Sequence, residues 1–217
     1  MHKLSVLFFL AGLVLVLGAA MAQGGLAVFT GQASVAGNTF TSAACFPSND
    51  TGFLDPAAEA ADSGGNGDGF ETTPTNAFAD GGTDPSYKAE NINGEGDRHR
   101  YYDYGVSIDS SCVIAGIEVR LDWWLDSTLS VNSMDAELSW DGGTSWTAAK
   151  TDTVESTTEH TTTLGGSADT WGHAWAVAEL TNGNFRVRVT SICTGGPGCA
   201  IRDFFLDWVP VKVYYGP

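Results

Sequence analysis

Between Val113 and Trp124 the chain reads VIAGIEVRLDWW, and from Ile117 onward its side chains alternate without a break. Ile117, Val119, Leu121 and Trp123 fall on one parity, and Glu118, Arg120, Asp122 and Trp124 on the other. A period of two in β-branched and aromatic residues is the pattern of a strand with one face on a core and one toward water. No helix can place those four apolar residues on one side, so this stretch fixes the class as β-rich. Asn184–Ser191 alternates in the same way and Phe204–Tyr215 is more continuously apolar, and both are expected as its strand partners.

The remaining elements are short. Asp135–Trp140 alternates, Arg98–Ile108 has strand character with three tyrosines in four positions, and Thr147–Leu164 is threonine-rich, as suits a solvent-facing strand and loop. Asp55–Ala61, with Asp55 as N-cap and Pro56 at the first helical position, is the one segment expected as a short helix. Many short strands with glycine-rich turns and long Gly/Asp-rich loops predict an all-β jelly-roll sandwich. An immunoglobulin-like sandwich fits less well, because no tryptophan lies between two bridged cysteines in the required order.

Residues 1–22 stand apart: a short basic start, an apolar run over Leu4–Leu17, and Ala20-Met21-Ala22 before Gln23, as in a secretory signal peptide with its cleavage site. Residues 23–40 read as an extended N-terminal strand segment jointed by glycines, and 41–217 as one domain. Export places the protein outside the cell or on its surface, and no membrane segment is expected after cleavage. Four cysteines suit an oxidising compartment. The Thr-Gly-Gly-Pro-Gly loop lets Cys193 meet Cys199, which leaves Cys45 for Cys112; zinc is disfavoured, since only one local pair is present. With 26 acids against 10 bases, the net charge of −16 disfavours nucleic acid and anionic lipid as partners.

Three patterns bear on function. Asn66, Asp68 and Glu71 offer oxygens at short spacing among glycines, and Asn93, Glu95 and Asp97 repeat the design, so each is a candidate Ca²⁺ loop without the EF-hand spacing. Tyr101, Tyr102, Tyr104, Trp124, Trp171 and Trp175 are candidate platforms for stacking on a sugar. His99, between Arg98 and Arg100, is expected in solvent; with no nucleophile or metal-hydrolase motif the chain reads as no enzyme.

Three likenesses add expectations. Val106–Arg120, Gly165–Leu180 and Phe204–Tyr215 together resemble a jelly-roll module of bacterial secreted and phage-associated proteins, which implies a fold and little about activity. Residues 27–42, AVFTGQASVAGNTFTS, resemble the mature start of the TasA and camelysin family of fibre-forming matrix proteins. That resemblance implies an exported structural subunit that polymerises with itself. Its strand of Leu26, Ala27, Val28 and Phe29 would add to the next subunit's sheet. The alternative is a monomeric carbohydrate-binding or adhesive module. Finally, Ser139–Trp146 is similar to the Asp-box S-x-D-x-G-x-[ST]-W, a hairpin brace without catalytic role.

Overall fold

A computed structural model describes residues 33–35, 38–40, 45, 49–82, 88–94, 96–196 and 198–217. The signal-peptide segment, the proposed donor strand Leu26–Phe29 and Glu95 lie outside them. The chain divides into two units, 1–43 and 44–217. In the first, β1 (Ala33–Val35) and β2 (Asn38–Phe40) pair antiparallel, so the later stretch of the segment read as extended is two short paired strands.

The second unit is a jelly-roll β-sandwich of two antiparallel sheets. Its strands are β3 (Asn49–Asp50), β4 (Ala58–Asp62), β5 (Ala89–Asn91), β6 (Arg98–Tyr102), β7 (Val113–Leu125), β8 (Val131–Ser139), β9 (Lys150–Asp152), β10 (His160–Gly165), β11 (Arg186–Thr194), β12 (Phe204–Trp208) and β13 (Val211–Gly216). One sheet runs β4-β6-β11-β8-β9. The other is built on β7, with β10 along one side and β12 and β13 in succession along the other; β5 and β3 flank these last two.

The 13-residue β7 is thus the spine of its sheet. Phe204–Tyr215 pairs with it, as the sequence suggests, but Asn184–Ser191 does not. That stretch belongs to β11 and lies between β6 and β8 in the opposite sheet. Alternation reports which face of a strand is buried, and two strands facing one core from opposite sheets carry the same signal. Ile117, Val119, Leu121 and Trp123 are fully buried, against Val187, Val189, Leu138 and Met134 of the other layer. Trp123 also donates from Nε1 to Asp152 on β9 at 2.8 Å, tying the two sheets together.

The helix expected at Asp55–Ala61 is absent. Ala58–Asp62 is an edge strand paired residue by residue with β6, from Ala58 opposite Tyr102 to Asp62 opposite Arg98. Alanine is the best helix former, but propensity amounts to only a few tenths of a kcal/mol per residue and yields to the ladder hydrogen bonds that β6 offers. Among the described residues the helical elements are single 3-10 turns such as Pro74–Ala77 and Val177–Leu180, and no helix is long and apolar enough to cross a membrane.

Cys45 bonds Cys112 and Cys193 bonds Cys199, the pairing the spacing suggests. The Asp-box stretch is a braced turn: Asp141 Oδ1 accepts from the amides of Thr144 and Ser145, and Trp146 donates to Gly143 O.

Candidate functional site

The outward parity of β7 is only partly wet. Glu118 and Arg120 reach solvent, but Asp122 is fully buried and Trp124 nearly so. The expectation that this whole face meets water fails at its end, because residues 78–82, after the 3-10 turn at Pro74–Ala77, cross there. Phe78 bridges to Trp208, Val209 donates to Ala77 O, and the amide of Gly81 donates to Asp207 Oδ2 at 3.0 Å. An open cleft of about 430 Å³ lies against Thr75, Asn76, Phe78, Ala79, Asp80 and Gly81.

Beneath that crossing four carboxylates gather from four elements: Asp80 from the crossing itself, Asp122 from β7, Glu159 from just before β10 and Asp207 from β12. Among the described residues, one cation answers them. Arg120 donates to Asp122 through both Nε and Nη2, at 2.9 and 2.6 Å, reaches Thr161 at 3.3 Å, and sits 3.8 Å from Asp80. Asp207 has 0% of its surface exposed, and its Oδ1 has no hydrogen-bond partner; Glu159 Oε2 is likewise buried and unpartnered. Burial pushes the Asp207 carboxyl up to about 7, and the charges of Glu159, Asp80 and Asp122 push the same way against the pull of the Gly81 amide. Glu159 is raised too, by burial first and then by Asp122 and Asp80.

Aromatic rings border this cluster. Trp208 is half-buried and held in place: its Nε1 donates to Asp55 at 2.8 Å, Phe53 packs at 5.8 Å, and the Arg120 guanidinium lies 4.6 Å from its ring. Trp124 and Phe205 pack at 5.5 Å, with Lys88 over Phe205 at 3.6 Å. The site thus combines a fixed indole, a guanidinium and acceptors that lack donors.

The residues singled out by sequence go elsewhere. Tyr101 and Tyr104 are core side chains, Tyr104 donating to Val209 O. Trp171 and Trp175 are buried as well, donating to Ile117 O and Thr170 O. Burial leaves these four little open ring surface, since in a two-sheet sandwich large aromatics first fill the core and close its ends; Trp175 borders an open cleft of about 500 Å³ beside Ile114 and His173. Tyr102 is half-buried, with the Arg186 guanidinium 4.2 Å from its ring.

Of the calcium candidates, Asn66, Asp68 and Asp97 meet around one turn. Asp97 is buried and accepts from the Asn66 amide at 2.7 Å; Asn66 Oδ1 accepts from the Asp68 amide. Glu71 accepts from the amide of Ile92, whereas Asn93 turns away and donates its amide to Asp203. Among the described residues, no group of three or more His, Cys, Asp or Glu side chains is arranged to hold a metal ion. His99, expected in solvent, is buried behind this turn: its Nδ1 accepts from the Phe70 amide at 3.1 Å, which leaves the proton on Nε2, 2.7 Å from Glu59.

Sequence reading passed over Asp80, Asp122, Glu159, Asp207 and Trp208 as site residues. One available signal was the apolar-flanked acid in FFLDW, unusual inside a strand; the assembly of four distant acids had none.

No protein-family model matches the chain, and no curated protein matches it. Among solved structures it is similar to the CBM32 of AlyQ in complex with 4,5-unsaturated mannuronic acid, at 12% identity and a TM-score of 0.38 over 73% of this chain and 96% of that one. Truncated AlyQ with its CBM32 and alginate lyase domains gives 13% and 0.39, over 78% and 34%. The CBM22-1–GH10 modules of a Clostridium thermocellum endo-1,4-beta-D-xylanase complexed with xylohexaose give 12% and 0.35, over 58% and 21%. The similarity to TasA and camelysin finds no support among these matches, and at such values the chain is assigned to no family.

Proposed function

We propose that the protein is an exported carbohydrate-binding module that takes a sugar against the outer face of the β7 sheet at Trp208. The observation that carries this is the position of Trp208: an indole fixed by Asp55 and Phe53, partly exposed, beside Arg120 and carboxylate oxygens without donors. A sugar ring offers an apolar C–H face to an indole and hydroxyl donors to such oxygens. The two disulfides and the signal-like start support export. Modules that bind carbohydrate are named in the solved structures above, and the reading does not rest on them. Fibre assembly by Leu26–Phe29 has no supporting observation among the described residues.

Calorimetry of the mature protein against neutral, amino and acidic oligosaccharides tests this. Trp208→Ala is expected to weaken binding about tenfold or more, as loss of an aromatic anchor does. Binding that survives the substitution unchanged, or no binding by any oligosaccharide at millimolar concentration, overturns the proposal. Product analysis in the same mixtures tests a second reading, favoured by the raised Asp207 carboxyl beside other acids: a proton donor that cleaves what the face binds.

Calcium at the Asn66–Asp97 turn is a separate proposal. It is supported by the charge of Asp68, which adds to burial in raising both Glu71 and Asp97; an ion there would relieve that repulsion.

A further inference from the structure

We infer that the cluster of Asp80, Glu159 and Asp207 is a subsite for a primary ammonium group, and that the sugar this face receives is an amino sugar. The inference rests on the carbohydrate reading for its ligand and on the cluster alone for its charge.

Four carboxylates share one guanidinium. Arg120 spends its bidentate contact on Asp122, and its approach to Asp80 is only 3.8 Å. What remains is negative charge with open acceptors: Asp207 Oδ1 and Glu159 Oε2 are buried without any donor. A buried unpaired acceptor is costly, and a native fold that keeps one on each of two interacting carboxylates calls for a donor or a positive charge from outside. A hydroxyl supplies one hydrogen and no charge. An ammonium supplies three hydrogens and the missing positive charge. An acidic sugar brings more of the sign already in excess.

The geometry also sets the entry side. Asp80 is the exposed member, with 45% of its side chain accessible, while Asp207 is closed over by Gly81. The ammonium therefore seats at the rim, between Asp80 and Glu159, and Asp207 feels it through space. Every charged group facing Asp207 comes from a neighbouring element: Asp80 from the crossing, Asp122 and Arg120 from β7, and Glu159 ahead of β10. Burial first, and then the neighbouring carboxylates, push the Asp207 carboxyl up to about 7, so a cation at the rim favours release of its proton. Binding and proton release are linked, and each unit by which Asp207 is lowered makes ammonium binding tenfold tighter above its titration than below it.

The test uses the mature full chain and four probes: a glucosamine trimer, its N-acetylated counterpart, a neutral glucose trimer, and n-butylammonium chloride as the charge alone. Affinity is measured at pH 6, and the Asp207 carboxyl is followed by carbon-13 NMR across pH 5–9. The glucosamine trimer is expected to bind at least tenfold more tightly than the acetylated one. The Asp207 titration should fall by about one unit with either amine, and Glu159→Gln and Asp80→Asn should each abolish most of that preference while leaving the thermal melt cooperative. Equal binding of all three trimers with an unmoved Asp207 titration overturns the ammonium subsite and leaves the carbohydrate reading standing. If no trimer binds but butylammonium still lowers Asp207, the subsite is upheld and the carbohydrate reading falls. No response to any probe overturns both.

Discussion

Two acidic regions lie in this sandwich, and they differ in where their protons and donors come from. Around Asn66 and Asp97 the acids sit among glycines in sequence, and the main chain answers them: Asp97 takes the Asn66 amide, Asn66 the Asp68 amide, Glu71 the Ile92 amide. Even the buried His99 behind them is used at both nitrogens. Around Asp207 the acids come from distant parts of the chain, and among the described residues they draw on one arginine and the amides of Gly81 and Gly82 for four carboxylates. Density of acids in a sequence marks a turn whose amides need acceptors. A deficit of donors, visible only in three dimensions, marks a place where something else is to bind.

That contrast breaks first at His99. His99→Ala removes the acceptor of the Phe70 amide and the donor to Glu59, inside a wall that includes Tyr101. A loss of about 3 kcal/mol is expected for a buried side chain and two hydrogen bonds, seen as a fall in Tm of roughly 6–12 °C at ~2–4 °C per kcal/mol. A change within 1 °C of wild type, the resolution of about 0.3 kcal/mol at that scale, would show that the region is not the rigid network described.

Next in size is Asp207, where the sign of the effect reverses. Its folded carboxyl titrates at about 7 against an ordinary 3.8. The folded state therefore binds more protons than the unfolded one between those values, and stability falls as pH rises through 7. Asp207→Asn keeps an acceptor for Gly81 and removes the charge. It should stabilise on the order of 2 kcal/mol at pH 8, with the shift discounted for solvent around the cluster, and change little at pH 4. Destabilisation at pH 8 would place the cluster with the satisfied region.

The two regions should also separate in wild-type melts. Burial holds the His99 imidazole below its ordinary value despite the Glu59 carboxylate, so its share of stability is present above pH ~6.5 and is lost as pH falls through the folded value. Asp207 acts oppositely: its contribution falls as pH rises from about 3.8 to about 7 and changes no further above that. The two slopes oppose each other where they overlap below pH ~6.5, and Asp207→Asn should remove the falling slope alone. An unchanged falling slope in that variant would assign it to other groups.

The smallest effect expected of a substitution is at the turn itself. Asp97→Asn weakens a charge-assisted bond to the Asn66 amide without emptying its place, at a cost of about 1 kcal/mol. Millimolar Ca²⁺ against EDTA tests the ion proposed there. At a hundredfold excess over Kd it contributes ~2.7 kcal/mol if bound, and Asp68→Asn should reduce that gain; identical melts in the two buffers reject the ion.

The alternation of Ile117–Trp124 by itself determined the class and the buried parity of β7, because a period of two admits one backbone geometry and the apolar face must be covered. Cysteine spacing likewise led to both bridges, since a short glycine-rich loop limits the partners of Cys193. Tertiary structure alone decided three other matters. It put β11 in the opposite sheet, because alternation is blind to which layer a strand joins. It drew Ala58–Asp62 into the edge of a sheet, because ladder bonds outweigh a few tenths of a kcal/mol of propensity. And it brought Asp80, Asp122, Glu159 and Asp207 under one crossing segment, because charges far apart along a chain interact only through the distances that folding sets.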